Sequence, residues 1–248
     1  MKPWYLIAIG LGAYALALIV TAPATLVDAG LQRASDGQLR LAEAQGTVWS
    51  GSGQIEIRDA SGQSGVAKSV TWRFLPETLL RGHLVCEVEL DRSAKPFPVT
   101  VSLSRIHLAD ADISLPATVL GLAVPKLAPL DLTGDVLIRV PRMSVARDGT
   151  LDGTATVQWR DAASTLSPIS PLGNYEVRLD GDGRTVHAYL RTIEGTLRLE
   201  GQGSWTLGSN PAFLAMADVP PEHQQDLTPL LRLIAVERGE GRFELQLD

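Results

Sequence analysis

Apolar residues recur at every second position through most of this chain, and that period limits what it can fold into. Val70, Trp72 and Phe74 alternate with Ser69, Thr71 and Arg73, and Val99, Val101 and Leu103 with Thr100, Ser102 and Ser104. The pattern returns at Val136, Ile138 and Val140, at Ala155, Val157 and Trp159, and at Tyr175, Val177 and Leu179. It continues through Val186, Ala188 and Leu190, through Leu197, Leu199 and Trp205, and ends on Phe243, Leu245 and Leu247. A period of two belongs to strands with one buried and one wet face, and about ten to thirteen can be traced. Turn signals separate them: Asp59 to Gly65, Arg147-Asp148-Gly149, Asp180 to Gly183, Glu194-Gly195 and Gly208 to Pro211. Asp-Gly and Gly-Asp pairs supply the positive φ of tight hairpins, and strands joined by tight turns lie side by side. The reading is therefore all-β, a mainly antiparallel, curved sheet.

The amino terminus obeys another rule. The 25 residues from Pro3 to Val27 carry no charge, between Lys2 and Asp28. About 20 helical residues rise roughly 30 Å, enough to cross the hydrocarbon of a bilayer. The expectation is a transmembrane helix carrying Leu6, Ile7, Ile9, Leu11, Leu16, Leu18, Ile19 and Val20, with Trp4 and Tyr5 at the near headgroups. Residues 1–27 then form a cytoplasmic start and anchor, and residues 28–248 a β-rich domain beyond the membrane. The lone basic flank at Lys2 keeps the amino terminus inside. A cleaved signal peptide competes, because Ala22-Pro23-Ala24 has the small-x-small form, but its apolar run would be shorter, about 7 to 15 residues.

Further helix is sparse. Pro116 to Gly121 allows one or two turns. Leu227, Leu230, Leu231 and Ile234 make one apolar stripe, with Thr228-Pro229 as its start and Gly239 as its stop. The sequence thus predicts one or two short helices near the carboxyl end, packed on the sheet or plugging one end of it.

No chemistry stands out. With 22 basic and 28 acidic side chains the chain is acidic, which argues against a nucleic-acid partner. His83, His107, His187 and His223 stand singly, without metal-ligand spacing. The pairs Asp110 with Asp112 and Glu87 with Glu89 share strand faces, as solvated pairs in an acidic chain do. Gly51-x-Gly53, Gly181-x-Gly183, Gly201-x-Gly203 and Gly239-x-Gly241 lack the third glycine of a phosphate loop. Cys86, the single cysteine, falls in the alternation Leu84, Cys86, Val88 and Leu90, a core position without a neighbouring cation. No catalytic, cofactor or metal residue is assigned, and the chain reads as one that holds or connects.

Ordered pieces along the chain resemble the type II secretion system protein N family, also called general secretion pathway protein N. They begin with Pro23-Ala24 and Leu26, then Gly46-Thr47-Val48-Trp49-Ser50-Gly51, then Val70-Thr71-Trp72-Arg73 with Pro76, Leu79, Leu80 and Gly82. Asp112 to Ala117 follows, including Pro116, then Val157-Gln158-Trp159, Leu166-Ser167-Pro168 and Leu172-Gly173-Asn174-Tyr175. The last are Gly195-Thr196-Leu197, Gly201-Gln202-Gly203-Ser204-Trp205 and Leu230-Leu231. Read physically, these are scaffold: Trp49, Trp72, Trp159 and Trp205 as apolar anchors, Gly51, Gly82 and Gly173 for positive φ, and Pro76, Pro116 and Pro168 at strand ends. The resemblance implies a non-enzymatic component of the apparatus that exports folded proteins, held single-pass in the inner membrane of a Gram-negative cell with its sheet in the periplasm. Its implied partners are the secretin's periplasmic region and the inner-membrane platform proteins. The arginine-, alanine- and leucine-rich composition of a GC-rich bacterial genome agrees with that compartment. The alternative is a periplasmic lipid-binding or lipid-transfer module using an apolar face of the sheet.

Overall fold

The computed structural model describes residues 4–35, 37–58, 64–91, 95–206, 209 and 212–247. Among them run fourteen strands in one sheet: β1 (Leu39–Gly46), β2 (Ser50–Arg58), β3 (Ser64–Leu75), β4 (His83–Leu90), β5 (Phe97–Ser102), β6 (Arg105–Pro116), β7 (Leu132–Ala146), β8 (Leu151–Ser164), β9 (Gly173–Gly183), β10 (Thr185–Gly195), β11 (Arg198–Thr206), β12 (Phe213–Asp218), β13 (Val236–Gly239) and β14 (Arg242–Leu247). Their order in space is their order in sequence, except that β14 lies between β12 and β13. Every pairing is antiparallel. The expected antiparallel sheet is present, with one strand more than the alternation suggested. The turns expected at Asp59 to Gly65 and Gly208 to Pro211 fall mostly outside the described residues.

Register carries the alternation across the sheet. Ile113 faces Ile138, which faces Val157, then Val177, Leu190, Gly201, Ala215 and Leu245. One such row across eight strands makes an apolar stripe that a flat sheet would leave wet. The sheet avoids this by rolling. Between β6 and β7 the chain forms α3 (Thr118–Ala123) and a 3₁₀ turn (Pro125–Leu130). Leu122 of α3 lies against Gly65 of β3, where an added Cβ would come within 2.5 Å of its Cδ1. Lys126 donates to the Gln246 carbonyl of β14 at 2.7 Å. In a flat sheet β14 would lie six strand spacings from β7, about 29 Å away. A lysine can close that gap only if the sheet curls round the inserted segment.

The interior is densest at the end where α3 enters. Ala117, Leu130, Leu132, Val136, Leu172, Leu197 and Phe243 meet Leu227, Leu230 and Leu231 of α4 (Gln224–Leu231), and Leu227 and Phe243 are fully buried. The carboxyl-terminal helix therefore exists, five residues earlier than its Thr228-Pro229 start signal. Leu227 must face the core, so the helix extends back to a 3₁₀ turn at Pro221–His223 and takes Pro229 inside. After Leu231 the chain turns and enters β13 at Val236, which pairs with β14.

The uncharged amino-terminal run is not one helix. It forms α1 (Trp4–Val20, 17 residues), breaks at Thr21–Ala24, and resumes as α2 (Thr25–Ala34). No helix among the described residues is long and apolar enough to cross a membrane. Pro23 lacks an amide hydrogen for the ladder, so the helix ends before it. The Thr21 hydroxyl donates to Ala17 O at 2.7 Å. Ala24 is buried, and Val27 and Leu31 of α2 pack with it against Leu41, Val70, Trp72 and Cys86.

Candidate functional site

The sheet has two ends, and the family-type residues gather at both. At the first, α1 leaves the body. Every described side chain of α1 is exposed, among them Ile7, Ile9, Leu11, Leu16, Leu18, Ile19 and Val20. Leu6 lies on its backbone, with a side chain outside the described set. The root of α1 is pinned by the β1–β2 loop: the Trp49 indole N–H donates to Ile19 O at 2.8 Å, and Val48 N–H to Ala22 O at 2.9 Å. Trp49 is half-buried, edge-on to Phe74 with ring centroids 6.1 Å apart. Trp72 is the buried tryptophan, its indole N–H donating to Val48 O at 3.0 Å. Gly51 lies under that ring, and a Cβ there would meet the ring at 2.4 Å and Gln45 O at 2.4 Å. Its reason for being glycine is this close approach rather than a positive φ.

Beside this neck, α2 closes the free edge of the sheet. Leu39 N–H, on β1, donates to Ser35 Oγ at 2.9 Å, and Leu41 N–H to Asp28 Oδ1 at 2.8 Å. Asp28 Oδ2 accepts from Gln32 Nε2 at 2.7 Å. Burial pushes the Asp28 carboxyl up, but the Gln32 and Leu41 hydrogen bonds and the charges of Arg40 and Arg58 outweigh it and hold the group below the usual carboxylate range. In the sequence Asp28 is only the first charge beyond the apolar run. Its spacing of 13 residues from Leu41 gives no signal of an edge cap.

The second end holds Trp159, Leu172, Gly173, Tyr175 and Gly195 together. The Tyr175 hydroxyl, buried, donates to Leu197 O at 2.9 Å, and burial pushes its pKa up. Trp159 sits 5.6 Å from the Tyr175 ring, and its own N–H donates to Thr133 O. Gly195 pairs with Gly173, and a Cβ on Gly195 would fall 2.3 Å from the Gly173 Cα. Pro116 ends β6 at this end too, and Pro168 lies in the β8–β9 loop. The remaining residues are elsewhere. Pro76 starts the 3₁₀ turn after β3, Gly82 (φ +77°) ends it, and Gly201 and Trp205 lie on β11. At this second end Leu166, Ile193, Leu233 and Val236 are exposed, and all four residues of β13 are exposed. Both edge and patch escaped sequence reading, because Val236 looked like the tail of a helix.

Chemistry finds little to work with. Among the described residues no group of three or more His, Cys, Asp and Glu could hold a metal ion. Asp112 of the pair with Asp110 is tied to Arg139 at 3.1 Å. Cys86 is buried, and desolvation pushes its thiol up to about 11, the state of an inert core thiol. Glu176, hydrogen-bonded by Gln158 and Arg191 across neighbouring strands, is held below the usual carboxylate range. It belongs to a wet outer face with Arg178, Asp180 and Tyr189.

No curated protein and no solved structure matches this chain. A family model does: type II secretion system (T2SS), protein N, over residues 37–246. That span covers the sheet from β1 to all but the last residue of β14, and with it the family-type residues from Trp49 to Trp205; α1, its anchor side chains and α2 lie before it. The chain thus belongs to the type II secretion system protein N family, and its role is that of a type II secretion component.

Proposed function

We propose that this protein is a non-enzymatic link in the secretion apparatus, anchored through α1 in the inner membrane and reaching with its sheet into the periplasm toward the platform and the secretin. The observation that carries it is the two-ended build. At one end an apolar helix stands clear of the body with its side chains uncovered. At the other, Leu166, Ile193, Leu233 and Val236 and the β13 edge are open. Strands of up to 15 residues separate the two, about 50 Å of extended chain.

The 17 residues of α1 rise about 25 Å, some 5 Å less than a typical hydrocarbon core. Local thinning of the bilayer accommodates a mismatch of that size at modest cost. An anchored domain gains effective concentration toward other inner-membrane components without any added contact. Its partner surface is the far end, where β13 offers backbone pairing to an incoming strand. Trp49, Trp72, Trp159, Trp205 and the glycines and prolines named with them hold the two ends in place and do no chemistry. The lipid-transfer alternative has no supporting observation, since side chains fill the interior at the capped end.

Pull-down of the full chain from detergent-solubilised envelopes tests this. The secretin or a platform protein should be recovered, and Val236→Pro with Leu233→Asp should lower the yield while leaving the fold intact. Recovery of stoichiometric phospholipid and no secretion component would overturn the link.

A further inference from the structure

We infer that the end of the sheet from which α1 departs is seated on the bilayer surface, with the tip of the β5–β6 hairpin as a second, apolar point of contact. The inference rests on the reading of α1 as an anchor and extends it to the folded body.

The root of α1 is fixed beside the β1–β2 loop by Trp49 and Val48. Following the register sideways from that loop, Ser50 pairs with Arg73, Arg73 with Glu87, and Glu87 with Pro98 of β5. The hairpin is thus three strand spacings from the root of α1, about 14 Å. From Pro98, β5 runs four residues further along the strand axis, toward the end that holds the β1–β2 loop, to Ser102, about 13 Å, before turning into β6 at Arg105. One headgroup layer is about 5–8 Å thick. A bilayer surface level with the root of α1 is therefore met by this hairpin, which is long enough to pass the headgroups.

Its chemistry suits that depth. Leu103, at the tip, is 83% exposed, and Val101 and Ile106, paired across the hairpin, are exposed beside it. The tip is rigid: Arg105 N–H donates to Ser102 Oγ at 3.1 Å, and that hydroxyl donates to Arg105 O at 2.8 Å. Arg147 N–H, from the β7–β8 turn, braces it at Ser104 O, 3.0 Å away. A turn position is ordinarily polar, so folding gives no reason for a leucine held this far out. The charges nearby, Arg105, Arg147 and Arg184 against Asp148 and Asp152, leave a single excess positive charge. Arg105 is paired with Asp152 at 3.3 Å, and Asp148, beside Arg147, accepts from Thr150. The contact is apolar in kind, and anionic lipid should add little to it.

The test uses the full chain with Cys86→Ala, carrying one cysteine at Leu103 or at Glu222, an exposed position at the opposite end. Each is labelled with an environment-sensitive dye and reconstituted in phosphatidylethanolamine–phosphatidylglycerol vesicles with and without brominated acyl chains. Expected is co-flotation of both proteins, with blue-shifted emission and bromine quenching at position 103 only, unchanged when phosphatidylglycerol is omitted. Co-flotation with a water-exposed probe at 103 would overturn the seat and leave the anchor standing. Failure to float would sink the anchor and the seat with it. A probe that is wet in pure lipid yet dry in native inner membranes would assign the tip to a protein neighbour and likewise overturn the seat.

Discussion

The cover over Trp72 and the cover over Phe243 come from different distances along the chain. Around Trp72 the sheet is covered by α2, a helix that immediately precedes β1 and holds it through Asp28 and Ser35. Around Phe243 the closing side chains arrive from the segment between β6 and β7, from the β8–β9 loop and from α4. The first cover is local and partly polar; the second is long-range and apolar. A local cover can open without disturbing the sheet, whereas a cover contributed by distant segments opens only when the whole fold does.

Substitutions can break that contrast. Phe243→Ala should have the largest effect, about 3–5 kcal/mol as for a fully buried aromatic. In urea denaturation it should lower the midpoint of the whole sheet in one transition. Loss of only the carboxyl-terminal strands would contradict the long-range picture. Tyr175→Phe leaves a buried carbonyl, Leu197 O, without its donor and should cost about 1–3 kcal/mol, again globally.

Asp28→Ala should cost about 1 kcal/mol and act locally: hydrogen exchange at the Leu39 and Leu41 amides should quicken, with the global midpoint almost unmoved. The acid dependence has a definite sign. A carboxyl held below its unfolded value contributes its full stability above that value, near 4 for aspartate. The contribution fades as pH falls through the lower, folded value. In the parent protein those two amides should therefore lose protection below about pH 4, and in Asp28→Ala that acid-linked loss should vanish. The smallest effect is expected for Val236→Lys, within about 0.5 kcal/mol of neutral. If it unfolds the protein, β13 is part of the core closure and not a free edge.

Much of the sheet was legible because alternation survives wherever one face is buried, as from Val136 to Val140 and from Tyr175 to Leu179. The anchor boundary was less so. Leu26 and Val27 are as apolar as α1, and only Pro23 betrays that they belong to another helix. The carboxyl-terminal helix was misplaced because Thr228-Pro229 mimics a helix start, while the burial of Leu227 decides the matter from across the sheet. Trp49 read as an apolar anchor; its ring is half-exposed because its N–H is committed to Ile19 O. The edge cap of β1 could not be read at all. It depends on two side chains meeting two amides, and no period in the sequence records such a meeting.

The near-sequential strand order sets a timetable for assembly. A chain appearing amino end first finds, for each new strand from β2 to β12, its partner already in place one turn earlier. Pairing can advance like a zipper, without any strand waiting for a distant mate. The order reverses only at the finish, where β13 emerges before β14 but touches the sheet solely through it. The last hairpin must close on itself and dock as a unit, bringing Phe243 onto Leu227 and Leu230. The final dozen residues thus act as the clasp of the fold, and a chain truncated before Arg242 would lose Phe243 from the interior and with it the closure on which the whole sheet depends.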